Sequence, residues 1–324
     1  MSPITQTIFA AAASLPLMYA FATWLVADRF ARPPGGRADV APPPDAMGIE
    51  NVAFCSRGDG VPLAGWYAAA RNPRGAVVVV HGRGASKANA LNRHAMPLVE
   101  RLVDDGLSVL MIDLRGHGNS GPGRVTYGCN ERLDVLGAVD WLVDRGHTAG
   151  TVGVLGVSMG GCAAIAAAAD EPGIGAVVSD SAFADFDAVL RHNFPRVMRT
   201  RLALGLLPGA LWFFERLTGV ALQRFRPDQI ARGLRGRALL LIHSAEDRFV
   251  QAEHTRAIGA ASGAEVWISH SRGHVASYAT FPAEYTERVA GFFGIHLHAE
   301  PAAKREWPEA PNPVGLATIG VGRS

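Results

Sequence analysis

The sequence predicts an α/β fold with a mostly parallel central sheet covered by helices on both faces. Short apolar runs rich in β-branched residues alternate with longer stretches in which apolar residues recur every three or four positions. Such runs suit strands buried on both faces, and their alternation with helices is typical of a parallel sheet. The predicted strands are 77–80, 107–112, 151–157, 175–179 and 238–242, and the predicted helices are 89–104, 130–145, 160–169, 252–261 and 284–293.

Two leading apolar runs predict an antiparallel hairpin at one edge of the sheet. They span 50–56 and 61–69 and are separated by Gly58, Asp59 and Gly60. Glycine and aspartate supply the backbone conformations that a tight hairpin turn requires.

The composition predicts one folded domain and gives no indication of nucleic-acid binding, of a zinc site or of a disulfide framework. A chain of 324 residues can bury one sizeable core. With 31 basic and 29 acidic residues the net charge is +2, so no overall field attracts a nucleic acid. The three cysteines lie far apart without a CxxC motif, which gives no sign of a zinc site or a disulfide framework.

The N-terminal residues 1–28 are predicted to form a transmembrane or signal-anchor segment. Residues 2–27 carry no charged side chain, and about 20 apolar residues suffice to cross a bilayer. No basic residue precedes the apolar run, which favours an uncleaved anchor over a cleaved signal peptide and over a buried or interfacial helix. The basic residues after the run favour a cytoplasmic domain, with an extracytoplasmic one as the alternative. These residues are Arg29, Arg32 and Arg37.

Proline and glycine predict the remaining boundaries. Residues 29–48 read as a Pro/Gly-rich linker, 49–298 as the folded domain, and 299–324, with four prolines, as a poorly ordered tail. From about 182 to 228 no strand is predicted, and the apolar stretch 202–214 is too short to span a bilayer. We interpret this segment as a helical lid above the carboxyl ends of the strands, where open α/β sheets bind ligands.

The motif Gly156-Val157-Ser158-Met159-Gly160 predicts a nucleophilic serine. It matches G-x-S-x-G and lies between a predicted strand and a helix of small residues, which is the context this elbow requires. A serine hydroxyl is a weak nucleophile, so it needs an adjacent base.

The base and its orienting acid are predicted from chain order. Where such a serine elbow occurs, the acid and then the histidine follow it along the chain. Asp247 follows the strand at 238–242, with Glu246 as the alternative acid, and His274 follows a strand at 264–270. The histidines assigned to surface or core positions are His270, His296 and His298.

Backbone N–H groups are predicted to bind the oxyanion that forms during acyl transfer. One belongs to Met159, and the other to Arg83 in the loop after the strand at 77–80. Ser86 lies in the same loop in a partial G-x-S-x-G match without its last glycine, which favours a turn or capping role.

Five motifs resemble those of the serine-nucleophile α/β hydrolases, a family that includes esterases, monoacylglycerol-lipase-like enzymes and proline-iminopeptidase-like peptidases. They are HGRG at 81–84, DLRGHGNS at 113–120, GVSMGG at 156–161, the Asp247 loop and Gly273-His274. The resemblance covers about 50–294, and with the N-terminal segment it extends to membrane-anchored members. It implies an α/β-hydrolase fold and the same triad, and a structural role for Asp113 and His117.

The sequence therefore predicts a serine hydrolase that cleaves a carboxylic ester or thioester through an acyl-Ser158 intermediate. A serine peptidase of the same fold and, more remotely, a non-catalytic binding scaffold are the alternatives. The apolar side chains of the lid suit an acyl group. Its arginines could contact an anionic surface, but they could equally well be exposed to solvent. No metal or organic cofactor is needed, because the chain supplies nucleophile, base and oxyanion donors. The expected partners are a small acyl substrate and a membrane, and the oligomeric state is left open.

Overall fold

The computed structural model of the protein describes residues 3–34, 48–93 and 95–297. Most of the predicted linker, 35–47, and the predicted tail with His298, 298–324, lie outside these ranges.

The described chain forms one eight-stranded sheet of the α/β-hydrolase fold, as the sequence predicts. The order across the sheet is β1-β2-β4-β3-β5-β6-β7-β8. The first two strands form the predicted hairpin, β2 also pairs antiparallel with β4, and all other neighbours are parallel. The strands are β1 (Glu50–Cys55), β2 (Pro62–Ala68), β3 (Gly75–Val80), β4 (Leu107–Ile112), β5 (Val152–Val157), β6 (Ile174–Asp180), β7 (Ala238–Glu246) and β8 (Glu265–Arg272).

The central strands are apolar throughout because helices cover both faces of the sheet. Every residue of β3, β4 and β5 is buried. In a strand successive side chains point to opposite faces, so a fully buried strand needs apolar residues at every position. Val77 and Val79 accordingly belong to one core cluster and Val78 and Val80 to the other.

Ten helices accompany the sheet in the described part of the chain. They are α1 (Pro3–Ala31), α2 (Ala95–Asp104), α3 (Glu131–Val143), α4 (Met159–Asp170), α5 (Phe186–Val197), α6 (Leu207–Thr218), α7 (Pro227–Ala231), α8 (Ala252–Ser262), α9 (Ser277–Thr280) and α10 (Pro282–His296). The helix predicted over 89–104 begins only at Ala95, after a short 3-10 helix at Ala90–Arg93. Pro97 is the third residue of α2, a position near the helix start where the missing N–H of proline costs little.

The predicted lid is helical. No strand lies between Asp180 and Ala238, a segment that the structure describes in full. It contains α5, α6 and α7 together with three short 3-10 helices. Helix α5 begins with a side-chain cap, because the carboxylate of Asp185 accepts hydrogen bonds from the N–H groups of Asp187 and Ala188.

The prediction of a membrane-spanning segment over residues 1–28 is not supported. Among the residues that the structure describes, no helix is long and apolar enough to cross a membrane. Beyond residue 13, where its side chains are described, α1 packs on the lid helix α6. A Cβ atom on Gly209 would lie 2.8 Å from Cγ2 of Thr23, so the two helix backbones approach closely there. The Tyr19 hydroxyl also donates to the Gly205 carbonyl at 2.9 Å.

The predicted linker begins inside the folded structure. Helix α1 continues to Ala31, whose carbonyl accepts a hydrogen bond from the Val125 N–H at 2.8 Å. Asp28 is buried and forms ion pairs with Arg32 and Arg124, which tie the end of the helix to the loop before α3. Residues 29–32 of the predicted linker therefore belong to the folded structure.

Two buried histidines join the loop after β3 to the loop after β4. The Nε2 atom of His81 accepts a hydrogen bond from the Leu114 N–H at 3.1 Å, and Nε2 of His117 accepts one from the Gly84 N–H at 3.2 Å. Burial lowers the pKa of both imidazoles, that of His81 to about 3. Both rings are therefore neutral near pH 7, which leaves each Nε2 free to accept.

An ion pair completes this connection. The ammonium group of Lys87 contacts the carboxylate of Asp113, and both side chains are buried. The same carboxylate accepts hydrogen bonds from the backbone N–H groups of Lys87 and Asn119 at 2.7 and 2.9 Å. These bonds compensate for the desolvation of the buried charges. Asp113 and His117 thus hold the turn, the structural role that the resemblance implies.

We predict that acid destabilises the fold through His81. In the unfolded chain this imidazole binds a proton near pH 6.5, whereas in the folded protein its pKa is about 3. Unfolding therefore takes up a proton, so stability is complete above pH 6.5 and falls as the pH drops toward 3. Between about pH 7.5 and about pH 5.5 the loss from His81 is about 1.4 kcal/mol.

Denaturant unfolding at these two pH values measures this loss. In His81→Gln the change in unfolding free energy between them should be smaller by the His81 contribution. The same pH dependence in wild type and variant would contradict the prediction.

Candidate active site

Ser158 lies in a sharp turn between β5 and α4. Its φ of 53° and ψ of −116° are unusual for a residue with a side chain and carry strain of about 1–3 kcal/mol. The flanking glycines make the turn possible. A Cβ on Gly156 would lie 2.2 Å from the Gly160 carbonyl oxygen, and one on Gly160 would lie 2.5 Å from the Val80 carbonyl oxygen. The elbow geometry follows directly from the G-x-S-x-G motif.

The structure brings the three predicted catalytic side chains into contact. The Ser158 hydroxyl donates to Nε2 of His274 at 2.8 Å. On the other side of the ring, Nδ1–H donates to Oδ2 of Asp247 at 2.6 Å. Asp247 directly follows β7 and His274 lies two residues after β8, so parallel strands bring both loops to the edge where the serine elbow lies.

Asp247 is buried but well supplied with donors. Its Oδ1 atom accepts hydrogen bonds from the N–H groups of Phe249 and Val250 at 2.8 and 3.0 Å. Burial alone would raise the pKa of this carboxyl, yet contacts with His243 and His274 and the backbone donors hold it well below its usual range. The group is therefore an ionised acceptor for the His274 ring at any ordinary pH.

The alternative residues lie away from this constellation. Glu246 is the last residue of β7, is exposed, and forms an ion pair with Arg272 on the surface. His270 is exposed on β8, and the ring of exposed His296 contacts that of Phe292 in α10 in a tilted arrangement.

Met159 and Arg83 both line the pocket that contains Ser158. Met159 is the first residue of α4, and the first N–H groups of a helix have no partner within it. They also carry the positive end of the helix dipole. Residue 83 lies in the loop that the neutral histidines hold in place, so both backbone N–H groups belong to rigid elements.

The side chain of Arg83 does more than the sequence indicates. Its Nη2 atom donates to the carbonyl oxygens of Arg29, in the last turn of α1, and of Arg32, just after the helix, at 3.1 Å each. The guanidinium carbon also lies 5.7 Å from the centre of the Tyr127 ring. The end of α1 therefore binds directly to the loop that carries one predicted oxyanion donor.

The pocket around Ser158 has a volume of about 240 Å³ and a largely apolar lining. Phe183, Phe186 and Leu91 contribute to its walls, and the ring of Phe249 lies 5.2 Å from that of His274. Of the described residues that line it, none carries a carboxylate.

Sequence reasoning missed His243. This buried histidine lies within β7, and its Nε2–H group donates to the Val250 carbonyl at 2.8 Å while lying 3.3 Å from Oδ2 of Asp247. Its other ring nitrogen contacts the Thr255 hydroxyl at 2.6 Å. The polar residue at the end of the apolar run ALLLIH could have been noticed in the sequence. The direction in which its side chain points, however, depends on how the sheet is assembled.

Comparison with known proteins extends this picture of the fold. Over 237 residues the chain is 26% identical to the uncharacterised protein YqkD of Bacillus subtilis, a match that covers 72% of this chain and 75% of that protein. The solved structure of the Pyrococcus furiosus esterase Pf2001 is similar with a TM-score of 0.67 at 24% identity, covering 83% of this chain and 98% of that one. The esterase domain of a Rhodothermus marinus protein gives a TM-score of 0.55 at 20% identity, covering 77% and 99%.

A family model places the chain more directly. The model for the alpha/beta hydrolase fold matches residues 75–236. This range begins with β3, contains Ser158 in its elbow, and ends before β7. It covers half of the chain. The chain belongs to the alpha/beta hydrolase family.

Proposed function

We propose that the protein is a serine hydrolase that cleaves a carboxylic ester or thioester, with Ser158 as nucleophile, His274 as general base and Asp247 as the orienting acid. The observation that carries the proposal is the unbroken pair of hydrogen bonds from Ser158 Oγ through the imidazole to the Asp247 carboxylate, 2.8 and 2.6 Å long.

The reaction follows from this geometry. Oγ of Ser158 attacks the carbonyl carbon of the substrate while its proton passes to Nε2 of His274. The Asp247 carboxylate stabilises the imidazolium that forms, and the N–H groups of Arg83 and Met159 stabilise the oxyanion. The imidazolium then protonates the departing alcohol or thiol, which leaves an acyl-Ser158 intermediate. Water, deprotonated by the same histidine, releases the acid and restores the serine.

An apolar pocket favours an ester over a peptide as the substrate. A peptidase that recognises a free amino terminus needs an acidic group near the nucleophile to bind the ammonium ion. The residues around Ser158 offer aromatic and aliphatic side chains and the single cation Arg83. The solved esterases of similar fold support the same choice.

We predict that Ser158→Ala abolishes hydrolysis of p-nitrophenyl acetate and labelling by a fluorophosphonate probe. Without the Ser158 hydroxyl, no covalent bond to the acyl or phosphonyl group can form. Ser86→Ala is the matched control, since Ser86 lies in the neighbouring loop with its hydroxyl near the Asn89 amide oxygen. It should still be labelled.

The same assay tests the peptidase alternative with alanine p-nitroanilide. Turnover of this amide with higher kcat/KM than the ester would favour a peptidase. An unlabelled wild-type protein that hydrolyses neither substrate would contradict the proposed nucleophile.

We predict that Asp247→Asn lowers kcat by about 10⁴-fold, because a neutral amide no longer fixes the histidine tautomer or stabilises the imidazolium. Glu246→Gln is the control, since this adjacent carboxylate is exposed and paired with Arg272. Its kcat should stay close to that of the wild type. If Glu246→Gln had the larger effect on kcat, the assignment of the acid would be wrong.

A further inference from the structure

A second cavity, here called the side cavity, lies between α1 and the lid helix α5. Its volume is about 380 Å³, within the range of about 300–1,000 Å³ for small-molecule sites. Leu25, Val26 and Phe30 form the wall contributed by α1, and Leu190 and Phe194 belong to the wall contributed by α5.

The side cavity adjoins the pocket of Ser158. Four residues line both spaces, and they are here called the neck: Arg83, Tyr127, Phe186 and Phe249. The rings of Tyr127 and Phe186 are in contact in a tilted arrangement, with centroids 3.9 Å apart, and the Phe249 ring contacts that of His274. The side cavity is therefore separated from the pocket of Ser158 only by these four side chains.

Tyr127 and Asn193, two polar residues at the cavity wall, have hydrogen-bond partners within the protein. The Tyr127 hydroxyl donates to the Phe30 carbonyl at 3.2 Å. The amide of Asn193 donates to the carbonyls of Val189 and Phe249 at 2.9 and 2.8 Å. The rest of the lining is mostly aliphatic and aromatic, with Arg29 and Arg83 as its cations. Such a surface binds a hydrocarbon chain by removing it from water.

We propose that the side cavity binds the acyl chain of the substrate, so that α1 helps to select the acyl length. The inference rests on the proposed serine hydrolase and names its substrate class as esters of unbranched aliphatic acids longer than acetate. Helix α1 precedes residues 75–236, the part of the chain that the family model matches. Selection of acyl length thus depends on a segment outside the family's matched region.

Chain-length profiles of p-nitrophenyl esters from acetate to decanoate test the proposal. In the wild type kcat/KM should rise about fourfold for each methylene that enters the cavity, until the cavity is full. Val26→Trp puts a bulky ring into the α1 wall, and Val197→Trp does so at the end of α5, where residue 197 is 76% exposed and a larger side chain is tolerated. Each variant should lower the octanoate-to-acetate ratio of kcat/KM on the order of tenfold, the loss of about two buried methylenes.

The matched control is Leu17→Trp, the same change on the same helix at a residue that is 72% exposed and does not line the cavity. Its ratio should equal that of the wild type. Wild-type ratios in both cavity variants would overturn the proposal, as would an equal fall in the control.

A binding measurement separates this proposal from the proposed function. Calorimetric titration of Ser158→Ala with p-nitrophenyl octanoate should show binding that weakens on the order of tenfold when Val26→Trp is added. Binding of this kind beside an inactive wild type would contradict the serine hydrolase and support the cavity. An active wild type whose octanoate affinity does not respond to Val26→Trp would overturn the cavity assignment alone.

Discussion

The close approach of α4 to the end of β3 is the constraint on which the site depends. The carbonyl oxygens of Val80 and His81 lie 2.5 and 2.6 Å from the point where a side chain on Gly160 would begin. Only glycine allows the start of α4 to approach the end of β3 this closely. The sharp turn that this approach requires holds Ser158 in its strained backbone conformation. It also sets the start of α4 beside the loop after β3. One contact between backbones thus positions the nucleophile and the elements that carry both proposed oxyanion donors.

Electrostatics near the nucleophile depends on keeping some groups neutral and others charged. His81 and His117 are deprived of water, so their imidazoles stay neutral and accept backbone N–H groups from the two loops. Asp247 is also buried, yet its donors keep it charged. The difference lies in the partners, because the carboxylate receives several hydrogen bonds whereas each neutral ring needs only one donor and one acceptor.

Most of the fold follows from periodicity, because buried parallel strands leave continuous apolar runs in the sequence. The G-x-S-x-G motif selected Ser158 and chain order selected Asp247 and His274 as the proposed triad. The three side chains meet because successive parallel strands end at the same edge of the sheet. Chain order could not separate Asp247 from the adjacent Glu246, which the structure places at the exposed end of β7. His243 could not be assigned in this way. Its ring lies near Asp247 because the chain after β7 turns back toward the strand. That turn depends on tertiary structure and leaves no pattern in the sequence.

The N-terminal helix shows where such reasoning fails in physical terms. An uncharged apolar helix suits a lipid bilayer and a protein interior equally well, because both remove it from water. The features that tie α1 to the lid and the domain are contacts with distant residues, such as Thr23 against Gly209 and Asp28 with Arg124. The Arg29 carbonyl near its end and the Arg32 carbonyl just after it also accept hydrogen bonds from Arg83. The same helix therefore lines the side cavity and is hydrogen-bonded to the loop of the proposed oxyanion donor. A shift of α1 would change both the side cavity and the position of that donor.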